Sequence, residues 1–174
     1  MVKTAIKAFA FSLALLPITV LAQNNAAGSP GCGDPAFKFD VKTNKGQNPA
    51  KPEAGKALVY FIEDDSNFNS VPKPTTRAGL DGQWVGATHG NSFFYFSVDP
   101  GVHHLCASWQ RLARHQKEAA AHFTAEAGGV YYFVAKNTYS FIETTQTIDM
   151  SLTKLDSDDG QLRVNRLSNS QKKK

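Results

Sequence analysis

Apolar and polar residues alternate strictly from Phe37: Phe37, Phe39 and Val41 fall on one side, Lys38, Asp40 and Lys42 on the other. A period of two marks a strand with one buried face, so residues 36–42 are expected to open the fold as a strand. Thr43 to Gly55 is polar and carries Pro49 and Pro52, a loop. Lys56 to Glu63 (K-A-L-V-Y-F-I-E) is apolar without alternation, the composition of a central strand covered on both faces. Asp64 to Thr76 is polar, and Pro72 and Pro74 mark it as a long loop.

Turn signals punctuate the middle of the chain. Asp81-Gly82 separates Arg77–Leu80 from Trp84–Thr88 and predicts a hairpin, with Gly79 and Gly86 weakening its arms. Between Gly90-Asn91 and Asp99-Pro100-Gly101 lies a strand in which Phe94, Phe96 and Val98 alternate with Phe93, Tyr95 and Ser97. Beyond it His103, Leu105, Ala107 and Trp109 share a core face, and Val102, His104, Cys106 and Ser108 look away from it. Arg111 to Lys117 is a basic connector. Alanine-rich 119–127 has helical propensity, but the alternation of Phe123 and the alanines, followed by Gly128-Gly129 and β-forming Val130–Lys136, predicts a hairpin instead. Phe141 to Leu152 is the last expected strand. Asp156 or Ser157 caps a short helix, with Asp158 and Asp159 in its first turn and Leu162 and Leu167 turned inward. The expectation is an all-β protein: an antiparallel β-sandwich of about eight strands with a short C-terminal helix. It occupies residues 36–168 as a single domain, after a flexible leader (23–35) and before a disordered basic tail (169–174).

Composition changes this picture at the N-terminus. Lys3 and Lys7 precede an apolar run from Ala8 to Val20, and Val20-Leu21-Ala22 suits signal peptidase, so 1–22 reads as a signal peptide. The run is too short for a membrane span. Cleavage would remove two lysines and no acid, taking the net charge from +4 to +2, with Lys172, Lys173 and Lys174 among the remaining cations. A nearly neutral body lacks the basic face that nucleic acid requires. Export to the periplasm or beyond puts Cys32 and Cys106 in an oxidising compartment, where an even count favours a disulfide. That bridge would close a loop of about 75 residues, worth roughly 4 kcal/mol. With Cys106 facing away from the core, it would pin the leader over the opposite face.

The segments Gly55–Ile62 (G-K-A-L-V-Y-F-I), Gly79–Gly86 (G-L-D-G-Q-W-V-G), Phe93–Leu105 (F-F-Y-F-S-V-D-P-G-V-H-H-L) and Ala127–Phe133 (A-G-G-V-Y-Y-F) resemble, in the same order, the bacterial domain-of-unknown-function family 2846. That family comprises small exported proteins and lipoproteins, and the resemblance spans about Phe37 to Leu167. The pattern x-D-G-x-x-V-G … V-x-P-G-x-H-x-L is also similar, over a shorter stretch, to the PEGA repeat of envelope proteins, a small β-module. Both resemblances imply an envelope β-domain, and neither implies catalytic residues. The chain differs from lipidated members in having no cysteine directly after the cleavage site.

Candidate chemistry is sparse. His103 and His104 point to opposite faces of a strand, so they cannot share an ion. His104 and Cys106 share a face that His122 approaches across a hairpin, which makes a metal-sequestering protein one alternative, though structural zinc wants four ligands. The expected role of His103 is to donate hydrogen bonds that hold the corner after the Pro-Gly turn. Asp156 to Gly160 resembles a calcium loop only briefly, because the glycine comes one place early and Leu167 stands where a carboxylate is needed. Glu63, Asp64 and Asp65 invite a comparison with glycosidase acids, so an enzyme acting on cell-wall or extracellular polysaccharide is a second alternative; a solvated acidic loop accounts for them more simply. No nucleophile elbow, H-E-x-x-H or phosphate loop occurs. Outward-facing Phe93 and Tyr95, with Trp84 nearby, form the candidate binding patch; the competing expectation is that a second sheet and the leader or long loop cover both faces of their strand. The leading expectation is a non-catalytic exported domain that binds a protein or glycan of the envelope, with no cofactor and no metal.

Overall fold

The computed structural model describes residues 32–45, 50–110 and 117–173. The signal peptide, most of the leader and most of the basic connector lie outside the described residues. Those described form ten strands and one helix in two layers. Sheet A runs in the order β1 (Val41–Asn44), β10 (Ser168–Lys172), β5 (Ser92–Val98), β2 (Ala57–Phe68), β8 (Val130–Ile142), β9 (Thr145–Leu155). Sheet B runs β4 (Gln83–His89), β3 (Thr75–Leu80), β6 (Gly101–Gln110), β7 (Glu118–Ala125). The helix α1 (Ser157–Arg166) lies between β9 and β10 in sequence. The all-β sandwich class holds, with ten strands where about eight were expected. Sheet B is antiparallel throughout, whereas sheet A contains the parallel pairs β2/β8 and β5/β10.

The alternation along each strand sorts residues between two apolar clusters. Ala57, Val59, Phe61, Phe94, Val98, Leu105, Ala107, Trp109, Phe123 and Phe133 meet between the sheets. Leu58, Tyr60, Ile62, Phe93, Tyr132 and Val134 form a second cluster on the outer face of sheet A, closed by Val164 of α1. β2 is therefore buried on both faces, as its unbroken apolar run predicts, and the cover on its outer side is the helix.

Several boundaries differ from the pattern. β2 continues through Glu63-Asp64-Asp65 to Phe68, because β8 pairs with it as far as Phe68↔Tyr139, past a register shift between Asp64 and Asn67. The polar loop shrinks to residues 69–74. Pro35 and Ala36 lie in a turn closed by the Phe37 amide on the Asp34 carbonyl at 3.2 Å, residues 37–40 belong to no strand, and only from Val41 does the chain enter a sheet. Gly128-Gly129 does turn the chain, yet it carries it from sheet B into sheet A; β7 and β8 are not a hairpin. Phe141 and Ile142 end β8, and the hairpin partner of β8 is β9. Asp156 is the N-cap, accepting from the amides of Asp158 and Asp159. Leu162 is 48% exposed, and the inward helix positions are Gly160 and Val164.

The expected basic tail is a strand. β10 enters sheet A between β1 and β5, antiparallel to the first and parallel to the second. Its sequence, Ser-Asn-Ser-Gln-Lys, carries no apolar signal. Backbone pairing on both sides supplies what side chains do not, and Ser170 adds a hydroxyl contact of 2.6 Å to Ser92.

Candidate functional site

The leader residues form a strap across the outer face of sheet B. Cys32 is disulfide-bonded to Cys106 of β6, as the sequence predicts. From there the chain passes directly over Gly79 of β3, where a β-carbon would collide with the Cys32 carbonyl. Gly79 is thus needed for close approach, and Gly86 similarly makes room for the Phe94 ring. Side chains of sheet B then bind the strap by its backbone. Trp84 Nε1 donates to the Asp34 carbonyl at 2.7 Å, Arg77 donates to the Phe37 carbonyl at 2.9 Å, and Gln110 both accepts from Phe39 N (2.6 Å) and donates to Phe39 O (2.9 Å). The Arg77 guanidinium stacks 4.1 Å from the Trp84 ring, and burial lowers its pKa.

The three residues of the predicted aromatic patch therefore do not meet. Trp84 lies under the strap on the outer face of sheet B. Phe93 and Tyr95 lie on the outer face of sheet A, the opposite side of the sandwich. Phe93 is 2% exposed, packed with Tyr60 beneath α1, so it is unavailable to a ligand. Tyr95 alone remains open, at 40%. It lines a groove of about 370 Å³ where the sheets diverge at one edge, between β4 and the β1–β10 pair. Phe39, Val41 and Val85 supply apolar walls there, and Asn169, Gln171 and Lys172 supply hydrogen-bonding groups. Asn169 to Lys172 were not found from sequence because a polar terminal segment gives no signal of strand pairing.

Glu63 and Asp65 form the most unusual polar cluster among the described residues. Because side chains alternate along β2, they continue the row Ala57, Val59, Phe61 into the space between the sheets, while Asp64 faces α1 and pairs with Arg163 at 3.2 Å. Each is 1% exposed, which overturns the expectation of a solvated loop for these two. Thr76 of β3 donates to Glu63 Oε1. Asn137 of β8 contacts Asp65 Oδ1 at 2.7 Å, Thr76 Oγ1 at 2.9 Å and Glu63 Oε1 at 3.2 Å through its amide nitrogen. The orientation of that amide follows from Trp109, whose indole N–H can only donate and sits 2.7 Å from Asn137 Oδ1. Glu63 Oε2 and Asp65 Oδ2 are buried without a hydrogen-bond partner. Burial, and then the charge of Asp65, hold the Glu63 carboxyl well above the usual carboxylate range. Burial also raises Asp65, with the Asn137 hydrogen bond and the charges of Lys73 and His89 acting against it. The signal for this cluster was present in the sequence: period two extended past Phe61 puts both acids on the core face.

The donor set of the cluster does not suit a cation. Trp109 turns the nitrogen of Asn137 toward the carboxylates, where a metal would need the oxygen. The other proposed ligand set is broken as well: His104 and His122 face each other in register, but the Cys106 sulfur is committed to the disulfide. Among the described residues no group of three or more His, Cys, Asp or Glu is arranged to hold a metal ion.

His103 closes the corner expected of it. Its Nδ1 is 2.7 Å from Asp81 Oδ2 and its Nε2 is 2.7 Å from the Asp99 carbonyl, so both nitrogens face acceptors. Partial burial opposes the charged ring, but these two hydrogen bonds outweigh it and raise the pKa. Comparison with protein-family models, curated proteins and solved structures returns no match to this chain.

Proposed function

We propose that the chain is an exported bacterial envelope domain that binds a protein or glycan partner and catalyses no reaction. The observation that carries this reading is the groove at the open edge of the sandwich. Aromatic and aliphatic walls beside amide and ammonium groups suit an extended, partly polar ligand. The export-type N-terminus, the resemblance to exported envelope families and the disulfide support the location.

An enzyme acting on polysaccharide would use Glu63 and Asp65 as its acids. Their raised pKa values suit a general acid. Burial of both carboxyls between the sheets leaves a sugar no contact with them, which favours binding over turnover. The deciding experiment is an NMR titration of labelled protein with cell-wall glycan fragments and envelope peptides. Shifts confined to Phe39, Val41, Val85 and residues 169–172, weakened about tenfold in Phe39→Ala, are expected. Bond cleavage that disappears in Glu63→Gln would establish the enzyme instead.

A further inference from the structure

The inter-sheet acids have a role independent of any ligand. We propose that Glu63 and Asp65 together carry one proton and act as an acid-favoured lock between sheet A and sheet B, so that the domain takes up a proton as it folds and the lock loosens in alkaline medium.

Donors are too few for two ionised carboxylates. Two carboxylates present four oxygens, and the hydrogen atoms that reach them come from Thr76 Oγ1 and the two N–H bonds of Asn137. Among the described residues, one oxygen of each acid has no hydrogen-bond partner. Thr88 and the Gly90 amide approach Glu63 from the β4 end and favour its ionised form, but burial and the charge of Asp65 outweigh them, and the Thr88 hydroxyl donates to the Thr76 carbonyl at 3.2 Å. Among the described residues the cations do not fill the gap. Lys73 is the cation acting on Asp65, but its ammonium donates to the backbone carbonyls of Asp65 and Phe68. His89 acts on Asp65 from the end of β4, with its Nδ1 turned to Thr75 and the Pro74 carbonyl, and Asp64 adds like charge from the other face of β2. From β3, Arg77 points out to the strap; from β6 and β8 come only neutral Trp109 and Asn137. A doubly ionised pair in this interior would leave unscreened charge against Trp109, so the stable state is the pair bridged by the Asn137 amide and carrying one proton on one of its two acids.

The location makes this a lock. Glu63, Asp65 and Asn137 belong to sheet A, whereas Thr76, Thr88 and Trp109 belong to sheet B, so the network crosses the layers. Loss of the proton to water leaves two negative charges side by side beneath sheet B.

The sign follows from linkage. A carboxyl whose folded-state pKa is raised contributes stability that is complete below its unfolded value, about 4, and is lost as pH rises through the folded one. Near pH 5.5 an ordinary histidine stays mostly protonated whether folded or unfolded, so His103 contributes little there. Calorimetric unfolding at that pH in buffers of different ionisation enthalpy should show release of about one proton, corresponding to a roughly tenfold fall in the folding constant per pH unit. Glu63→Gln, which keeps the shape of a protonated acid, should flatten this slope. In wild type, the Trp109 indole and Asn137 amide NMR signals should move together with one midpoint above the ordinary carboxylate range. Zero proton release by the wild-type protein, or a slope unchanged in both Glu63→Gln and Asp65→Asn, would overturn the lock. Should Glu63→Gln fail to fold, the wild-type proton count still decides.

Discussion

His103 shows how one side chain fixes a corner. Asp81 takes a positive φ of 51° at the β3–β4 turn, and its carboxylate receives the His104 amide at 2.9 Å as well as the His103 ring. With acceptors on both ring nitrogens, the imidazolium is the form that satisfies the site. Its pKa is raised in the fold, so its contribution is complete below the unfolded value of about 6.5 and declines as pH rises through the folded value. In His103→Gln, stability at pH 6 should fall by about 1 kcal/mol, with a smaller loss at pH 9. An NMR titration should place the His103 midpoint above 6.5, taken as about the ordinary value; a lower midpoint would reject the assignment.

At the scale of the element, the strap depends on one covalent bond and on donors that read only backbone. Trp84, Arg77 and Gln110 hold carbonyls of Asp34, Phe37 and Phe39, so these hydrogen bonds do not depend on which side chains the strap carries, while Gly79 beneath it is required. The disulfide spans 74 positions, and loss of its constraint on the unfolded chain costs about 4 kcal/mol. Cys106→Ser should therefore lower Tm by roughly 10 °C. Intact-mass alkylation should find no free thiol in the wild type and one in the variant. Two labelled thiols in unreduced wild type would refute the bridge. Both partners were legible from composition and strand phase, because Cys106 falls on the face opposite Leu105 and Trp109. What the alternation could not convey is that Phe37 and Phe39 sit on a crossing strap, since an extended segment has the same period whether or not it pairs.

For the whole molecule, sheet A is completed by its last strand. β10 separates β1 from β5 and furnishes one wall of the groove. Ending the chain at Leu167 should cost about 3 kcal/mol, or roughly 10 °C in Tm, and promote association through the bared edge of β5. Melting curves and size-exclusion chromatography check this; a truncated protein with unchanged Tm would return the segment to the status of a tail.

The chain's own pattern determined the all-β class, the turns at Asp81-Gly82 and Asp99-Pro100-Gly101, the core faces of β5, β6 and β7, and a helix cap at Asp156 or Ser157. These are local properties, set by side-chain period and by residues that adopt turn or cap geometry cheaply. Tertiary structure alone decided which sheet β8 joins, that Ser168–Lys172 is a strand, and that Glu63 and Asp65 lie in the interior with Asn137. Strand pairing uses backbone groups common to every residue, so partner choice leaves little mark on sequence. An acid's protonation depends on neighbours brought in from β3, β6 and β8, which only the folded chain assembles.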